Sequence, residues 1–177
     1  MSFGNDHYKG AYVSDPSVPI TATTHSTIVT VDAKVGKGFI LGQSVVATPY
    51  FNFGYRYWER DLGNDQMEYY HHYAVLGGGM VQYSPIDKVV LSAYGATGMT
   101  FGGQMRMGGV DYDLGSAAEY KLGAKIGYTF TERLEVFTSL DFDHFRYVKS
   151  DVKAGIYEPS SFTSDTAVRV GIAYHLK

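Results

Sequence analysis

Asp141, Asp143 and His144 fall together in the run DFDH. A carboxylate beside an imidazole is the pairing that moves protons in acid–base catalysis. In a strand, however, neighbouring residues point to opposite faces, so His144 is expected across the sheet from both aspartates. His71 and His72 are metal-ligand types, but adjacent strand positions diverge and cannot chelate together. The Gly77-Gly78-Gly79 run lacks the strand–loop–helix setting and the Lys of a phosphate loop. No Gly-x-Ser-x-Gly elbow is present. The chain has no Cys, which removes disulfides, thiolate metal sites and a thiol nucleophile. No catalytic, metal or cofactor residue is therefore expected. Acid–base chemistry through His144 or His72 with nearby aspartates is the enzymatic alternative.

The elements that must position these groups are strands. The 177 residues suit a single domain spanning 1–177. They include 16 Tyr, 10 Phe and 21 Gly, types that favour strands, tight turns and crowded strand faces. The net charge of −3 argues against a nucleic-acid partner. No apolar run approaches the roughly 18 residues of a transmembrane helix. The start, MSFGNDHYKG, has no signal-peptide pattern; an exported chain would have lost its signal, with Met1 standing in its place.

Period-two alternation predicts eight strands, over 2–13, 27–39, 45–58, 68–83, 89–101, 119–130, 134–148 and 166–176. Over 89–101 the alternation is too blurred to choose faces. The connections LGQS, SPIDK and TER are short, whereas SDPSVPITATTHS, ERDLGNDQ, GGQMRMGGVDYDLGS and KSDVKAGIYEPSSFTSD are long and polar. Short turns at one end and long loops at the other describe an up-and-down meander.

The two rows of each strand are unlike. One holds Asp32, Lys34, Arg56, Glu119, Lys121, Lys125, Glu135, Asp141, Asp143 and Arg169, interleaved with Gly36, Gly54, Gly123, Gly127 and Gly171. The other is aliphatic in the middle. Phe39, Tyr83, Tyr128, Phe130 and Tyr174 lie near the short turns, and Tyr57, Tyr69, Tyr73, Phe101, Tyr120 and Phe145 near the long loops. Aromatic belts around an aliphatic band mark a lipid-facing surface. An Arg or Lys facing lipid at mid-depth costs about 2–4 kcal/mol, so in a membrane the charged row must be the interior. The expectation is an all-β, eight-stranded antiparallel up-and-down transmembrane β-barrel with short periplasmic turns and long external loops. Its interior is expected to be plugged by Arg56, Lys121, Lys125 and Arg169 facing Glu119, Glu135, Asp32 and Asp141. Lys37 lands on the lipid row near a turn, where it could snorkel. The rival is a soluble lipocalin-like barrel, but the early Gly-x-Trp of that group is missing.

The last strand, RVGIAYHL, resembles the C-terminal signal read by the outer-membrane assembly machinery, through Gly171, Tyr174 and Leu176. It departs in ending on Lys177 in place of a terminal aromatic. FNFGYRYWERD and KLGAKIGYTFTERLEV resemble strand–turn–strand units of the opacity-type and outer membrane protein A/X-type eight-stranded barrels, a likeness covering about 27–177. That resemblance implies a bacterial outer-membrane location and a monomer. It implies contacts with outer-membrane lipid and lipopolysaccharide, and handling by the assembly machinery. The expected role is non-enzymatic: surface binding, adhesion or envelope integrity, with a host or surface ligand met by the loops. Tyr157, Pro159 and Phe162 are the loop candidates for such contacts. A lipid-modifying or proteolytic barrel enzyme and a narrow solute channel are the alternatives.

Overall fold

The computed structural model describes residues 2–11, 19–63, 67–153 and 157–174. They form ten strands: β1 (Ser2–Ala11), β2 (Pro19–Gly36), β3 (Phe39–Ile40), β4 (Val45–Asp61), β5 (Met67–Ile86), β6 (Val89–Met107), β7 (Val110–Gly115), β8 (Ala118–Thr131), β9 (Leu134–Tyr147) and β10 (Ser161–Tyr174). No helix occurs among the described residues. The strands build one antiparallel sheet with the hydrogen-bonded order β1-β2-β4-β5-β6-β8-β9-β10, while β3 pairs only with β4 and β7 only with β6.

The strand count thus differs from the eight expected. β3 arises where Gly36 and Gly38 interrupt the second strand, and β7 lies within the stretch read as a long loop. The signal for β7 is Gly108-Gly109 between Met107 and Val110. Both glycines have positive φ, 58° and 80°, as a two-residue hairpin turn with the twist of its strands requires. One residue is also extra in β6, because the partners step from Gln104 to Phe101 while β5 steps from His71 to Tyr73. Gly102, at φ 60°, takes up the bulge. The inward row of β6 therefore changes parity, from Thr100 to Gly103 and Met105.

The sheet is strongly curled. β4 and β10 are five steps apart in strand order, about 24 Å if the sheet were flat. Yet Arg56 on β4 reaches Asp165 on β10 at 2.6 Å. The result is a half-barrel, with β1 and β10 as the end strands of the path and no ladder between them among the described residues.

Burial on this sheet is inverted relative to a water-soluble core. Arg56, Glu68, His72, Glu119 and Glu135 are buried on the concave side. Val35, Phe51, Leu122, Ile126, Leu140, Val170 and Ile172 are exposed on the convex side. Lys37 is also exposed, with its ammonium 5.8 Å from the Phe39 ring. Phe145, expected on the outer row, is fully buried inside. It continues the odd-numbered row of Asp141 and Asp143, and its aromatic character alone was a poor guide to its face.

Inside, apolar side chains gather in two layers. Near the long loops, Trp58, Tyr70, Met105, Tyr112, Leu114, Phe145 and Tyr147 pack together. Toward the short turns, Tyr50, Ala74, Leu76 and Ala96 form the second layer. The inward glycines make room for large neighbours. A β-carbon at Gly123 would collide with the Tyr94 ring, and one at Gly127 would lie 2.5 Å from the Glu135 carboxylate. Gly123→Val is therefore expected to push Tyr94 off its partner Asp141 and to destabilise the fold by about 1–3 kcal/mol. Chemical denaturation checks this; an unchanged midpoint would mean that the interior is looser than the packing indicates.

Candidate functional site

The inward charges converge because alternate residues of facing strands share one concave side. Arg56 lies 2.6 Å from Asp165 and 3.4 Å from Asp143, with its guanidinium 4.6 Å from the Phe145 ring centre. Lys121 meets Glu119 at 3.2 Å, Asp32 at 3.3 Å and Asp143 at 3.9 Å. Asn52 donates to Asp32 at 2.9 Å. Lys125 pairs with Glu135 at 2.7 Å. Asp141 pairs with Arg169 and accepts from the hydroxyls of Tyr94 and Ser139. Lys34 has no carboxylate partner among the described residues; its ammonium sits 4.8 Å from the Tyr94 ring and 5.6 Å from that of Tyr50.

Asp165 was not singled out from the sequence, because it lies in a stretch read as loop. β10 begins five residues earlier than expected, at Ser161, and alternation then turns Asp165 inward with Arg169. The signal was the period-two run from Thr163 through Arg169, masked by its polar composition.

The residues with catalytic chemistry are not assembled for it. His144 hydrogen-bonds to Ser164 at 2.8 Å and stacks on Phe162 on the convex side, away from Asp141 and Asp143. His71 and His72 are on opposite faces, His72 being buried with its Nδ1 2.9 Å from the Tyr147 hydroxyl. Its nearest acid, Glu119, is 3.9 Å away. The space beside that pair is only about 10 Å³, room for about one water and not for a substrate. No group of three or more metal-ligating side chains occurs among the described residues.

The charges do not fill the interior. A chamber of about 620 Å³ remains between the charge layer and the short turns. Its wall includes Thr30, Asn52, Leu76, Met80, Ser92 and Phe137. Toward the long loops it is backed by Arg56 and Glu119 and then by the aromatic layer around Tyr70 and Tyr147.

At the long-loop end the described residues are tied together. Arg60 Nε donates to Glu68 at 2.9 Å, and the Tyr70 hydroxyl lies 2.9 Å from Glu68 and 3.2 Å from Glu158. Glu158 thereby anchors the 148–160 connection, helped by its amide donating to Ser150 at 2.8 Å. Lys153 donates to the Asp111 carbonyl at 2.7 Å, tying the same connection to β7. Tyr157 and Pro159 are exposed on this connection, with the Lys149 ammonium 4.1 Å from the Tyr157 ring. Phe162, read as a loop residue, stands on the convex face of β10, within reach of His144 and Arg146. Gly171 underlies the Phe137 ring, and Tyr174 faces outward near Arg133. Leu176 lies outside the described residues.

Burial, followed by the repulsion of Glu68, raises the Glu158 carboxyl from its ordinary 4.5 to about 7. The docked connection therefore holds its proton more tightly than the free one. Docking is strongest below pH 4.5, weakens as pH rises through about 7, and levels off above it. A shift of this size corresponds to at most about 3 kcal/mol. Amides of 148–160 are expected to exchange faster at pH 8 than at pH 5.5 after correction for intrinsic rates. Glu158→Gln is expected to remove that difference; a pH dependence that persists in the variant would exclude Glu158 as its source.

Comparison of the chain with protein-family models and with curated proteins finds no match to either.

Proposed function

We propose that the chain is a small bacterial outer-membrane protein: a transmembrane barrel that anchors a surface-exposed binding platform. The observation that carries this reading is the inverted burial. Arg56, Glu119 and Glu135 are inside, while the aliphatic row of Val35, Leu122, Ile126, Leu140 and Val170 is outside. Such a surface suits lipid tails and is a poor solute in water. In hydrocarbon an open sheet edge is costly, so β1 and β10 would have to pair and close the eight-strand path. Tyr73 and Phe101 stack toward the loop end, and Tyr128 packs edge-on to Phe130 at the turn end. Both pairs stand where lipid headgroups would lie.

The platform is the loop end, where the end of β6 presents Arg106 and the described part of the 148–160 connection presents Tyr157 and Pro159. Surface binding, adhesion or envelope integrity fits described loop segments held by hydrogen bonds over an interior where His72 and His144 are not set beside the aspartates. The aromatic layer argues against a solute channel, because Tyr70, Leu114 and Phe145 cross the interior below that platform.

Refolding tests the anchor. In vesicles or detergent the chain is expected to become β-rich, with a gel mobility that shifts on boiling, and to stay unfolded or aggregated in plain buffer. Folded, monodisperse protein in plain buffer would overturn the membrane reading. Protease added outside cells bearing the exported protein should cut the 148–160 connection and spare the 87–88 and 132–133 turns. Cleavage at the turns alone would reverse the orientation.

A further inference from the structure

We propose that the interior chamber is a binding site for a small organic monoanion with an apolar body, entered from the short-turn end. Its volume of about 620 Å³ is that of a small-molecule pocket. Its walls are of two kinds. Leu76, Met80, Ala96 and Phe137 offer apolar surface. Lys34 offers an ammonium that makes no direct ion pair among the described residues, with Asp32 and Asp141 acting on it only at longer range.

Local pairing, and not net charge, points to the sign of the ligand. Glu119 shares Lys121 and Asp165 shares Arg56, so the interior as a whole carries no positive excess, and Lys34 matters as a wall cation without a direct ion pair among the described residues. Of the carboxylates in the wall, Asp32 is held by Lys121, Asp141 by Arg169 and Asp143 by Arg56. Lys125 is taken by Glu135. Lys34 remains, held only against the rings of Tyr94 and Tyr50. Cation–π contact is weaker than a charge-assisted hydrogen bond, so an anion arriving in the chamber can draw the ammonium to itself. Two further groups are unsatisfied. The Ser92 hydroxyl and the Asn52 side-chain oxygen are buried in the wall without a hydrogen-bond partner. A carboxylate can accept from Ser92 and satisfy it, whereas the Asn52 oxygen needs a donor carried elsewhere on a ligand.

Access follows from position. The wall residues belong to the strand halves that run into the short connections, with Gly36, Thr48 and Met80 nearest to them. The charge layer and the aromatic layer stand between the chamber and the long loops. The site depends on this interior geometry and not on the membrane reading.

The test is a titration of the refolded protein with 4-fluorobenzoate, followed by the fluorine resonance of the probe. Empty micelles serve as blank, or plain buffer if the chain folds without detergent. Saturable binding is expected, at least tenfold tighter than for neutral 4-fluorobenzamide. Lys34→Gln is expected to weaken the benzoate by about tenfold and Lys34→Arg to leave it nearly unchanged. Met80→Trp, which narrows the chamber at its apolar wall without removing a charge, should weaken binding severalfold, and it serves where Lys34→Gln loses the heat-shifted mobility of the folded species. Signals equal to the blank, equal affinity for acid and amide, an unaffected Lys34→Gln, or an unaffected Met80→Trp would each overturn the proposal.

Discussion

Leu140→Arg is expected to leave the chain unable to assemble stably in a bilayer. Leu140 lies mid-strand on β9, opposite Ala124 of β8 and Val168 of β10, and its side chain stands exposed on the convex face. In the proposed membrane setting that position is near mid-depth. A guanidinium there costs about 2–4 kcal/mol, a large part of the roughly 5–15 kcal/mol that holds a typical domain together. Denaturant titration of vesicle-refolded protein measures the loss directly. The same substitution on a water-facing surface would change stability by no more than about 0.5 kcal/mol. A neutral Leu140→Arg would therefore place the convex face in water and sink the anchor proposal. Ile126→Arg, on β8, gives an independent reading of the same face.

Replacing Arg56 by Met is expected to be comparably severe, for the opposite reason. Arg56 is buried between Asp143 and Asp165 and stacked on Phe145. Met preserves much of the packing but takes the guanidinium from Asp143 and Asp165, leaving Lys121 3.9 Å from Asp143, and breaking one side of a buried ion pair costs about 3–5 kcal/mol. Neutralising the aspartates in the same chain, as Arg56→Met with Asp143→Asn and Asp165→Asn, should recover most of that loss. The recovery is the diagnostic result, since it reports coupling and not mere damage. If the triple variant were no more stable than Arg56→Met alone, the Arg56 pairs would not hold β4 to β10 across the interior.

Much of the architecture was legible in the chain. In EYKLGAKIGYTF the alternation of charged or tiny residues with apolar ones marks β8 to within one residue of its observed bounds, because side-chain direction in a strand depends only on local geometry. The short connections read at 84–88 and 131–133 are tight turns at 87–88 and 132–133, β5 running on to Ile86. The glycines among the charges already indicated a crowded face, and Tyr94 over Gly123 is such a contact.

Other features escaped local reading. On β6 the sequence Gly95-Ala96-Thr97-Gly98 has small residues on both faces, and the bulge at Gly102 then exchanges the faces. β7 was hidden because its outward Asp111 and Asp113 resemble loop composition, while its inward Tyr112 and Leu114 are buried only by the aromatic layer they join. Phe145 faces inward because its strand parity, and not its aromatic type, decides its side.

What the sequence alone determined is the existence of the eight strands of the main path and, on most of them, the polar and apolar rows, each a consequence of a period of two residues. Only the tertiary structure decided which charges meet. Asp165 and Arg56 are separated by 109 positions in the chain and by four intervening strands in the sheet. Their contact depends on the summed twist and curl of every strand between them, a quantity that no local pattern encodes. The same summation leaves the 620 Å³ chamber where side chains alone were expected to fill the interior, and it leaves Lys34 lining that chamber against the rings of Tyr94 and Tyr50.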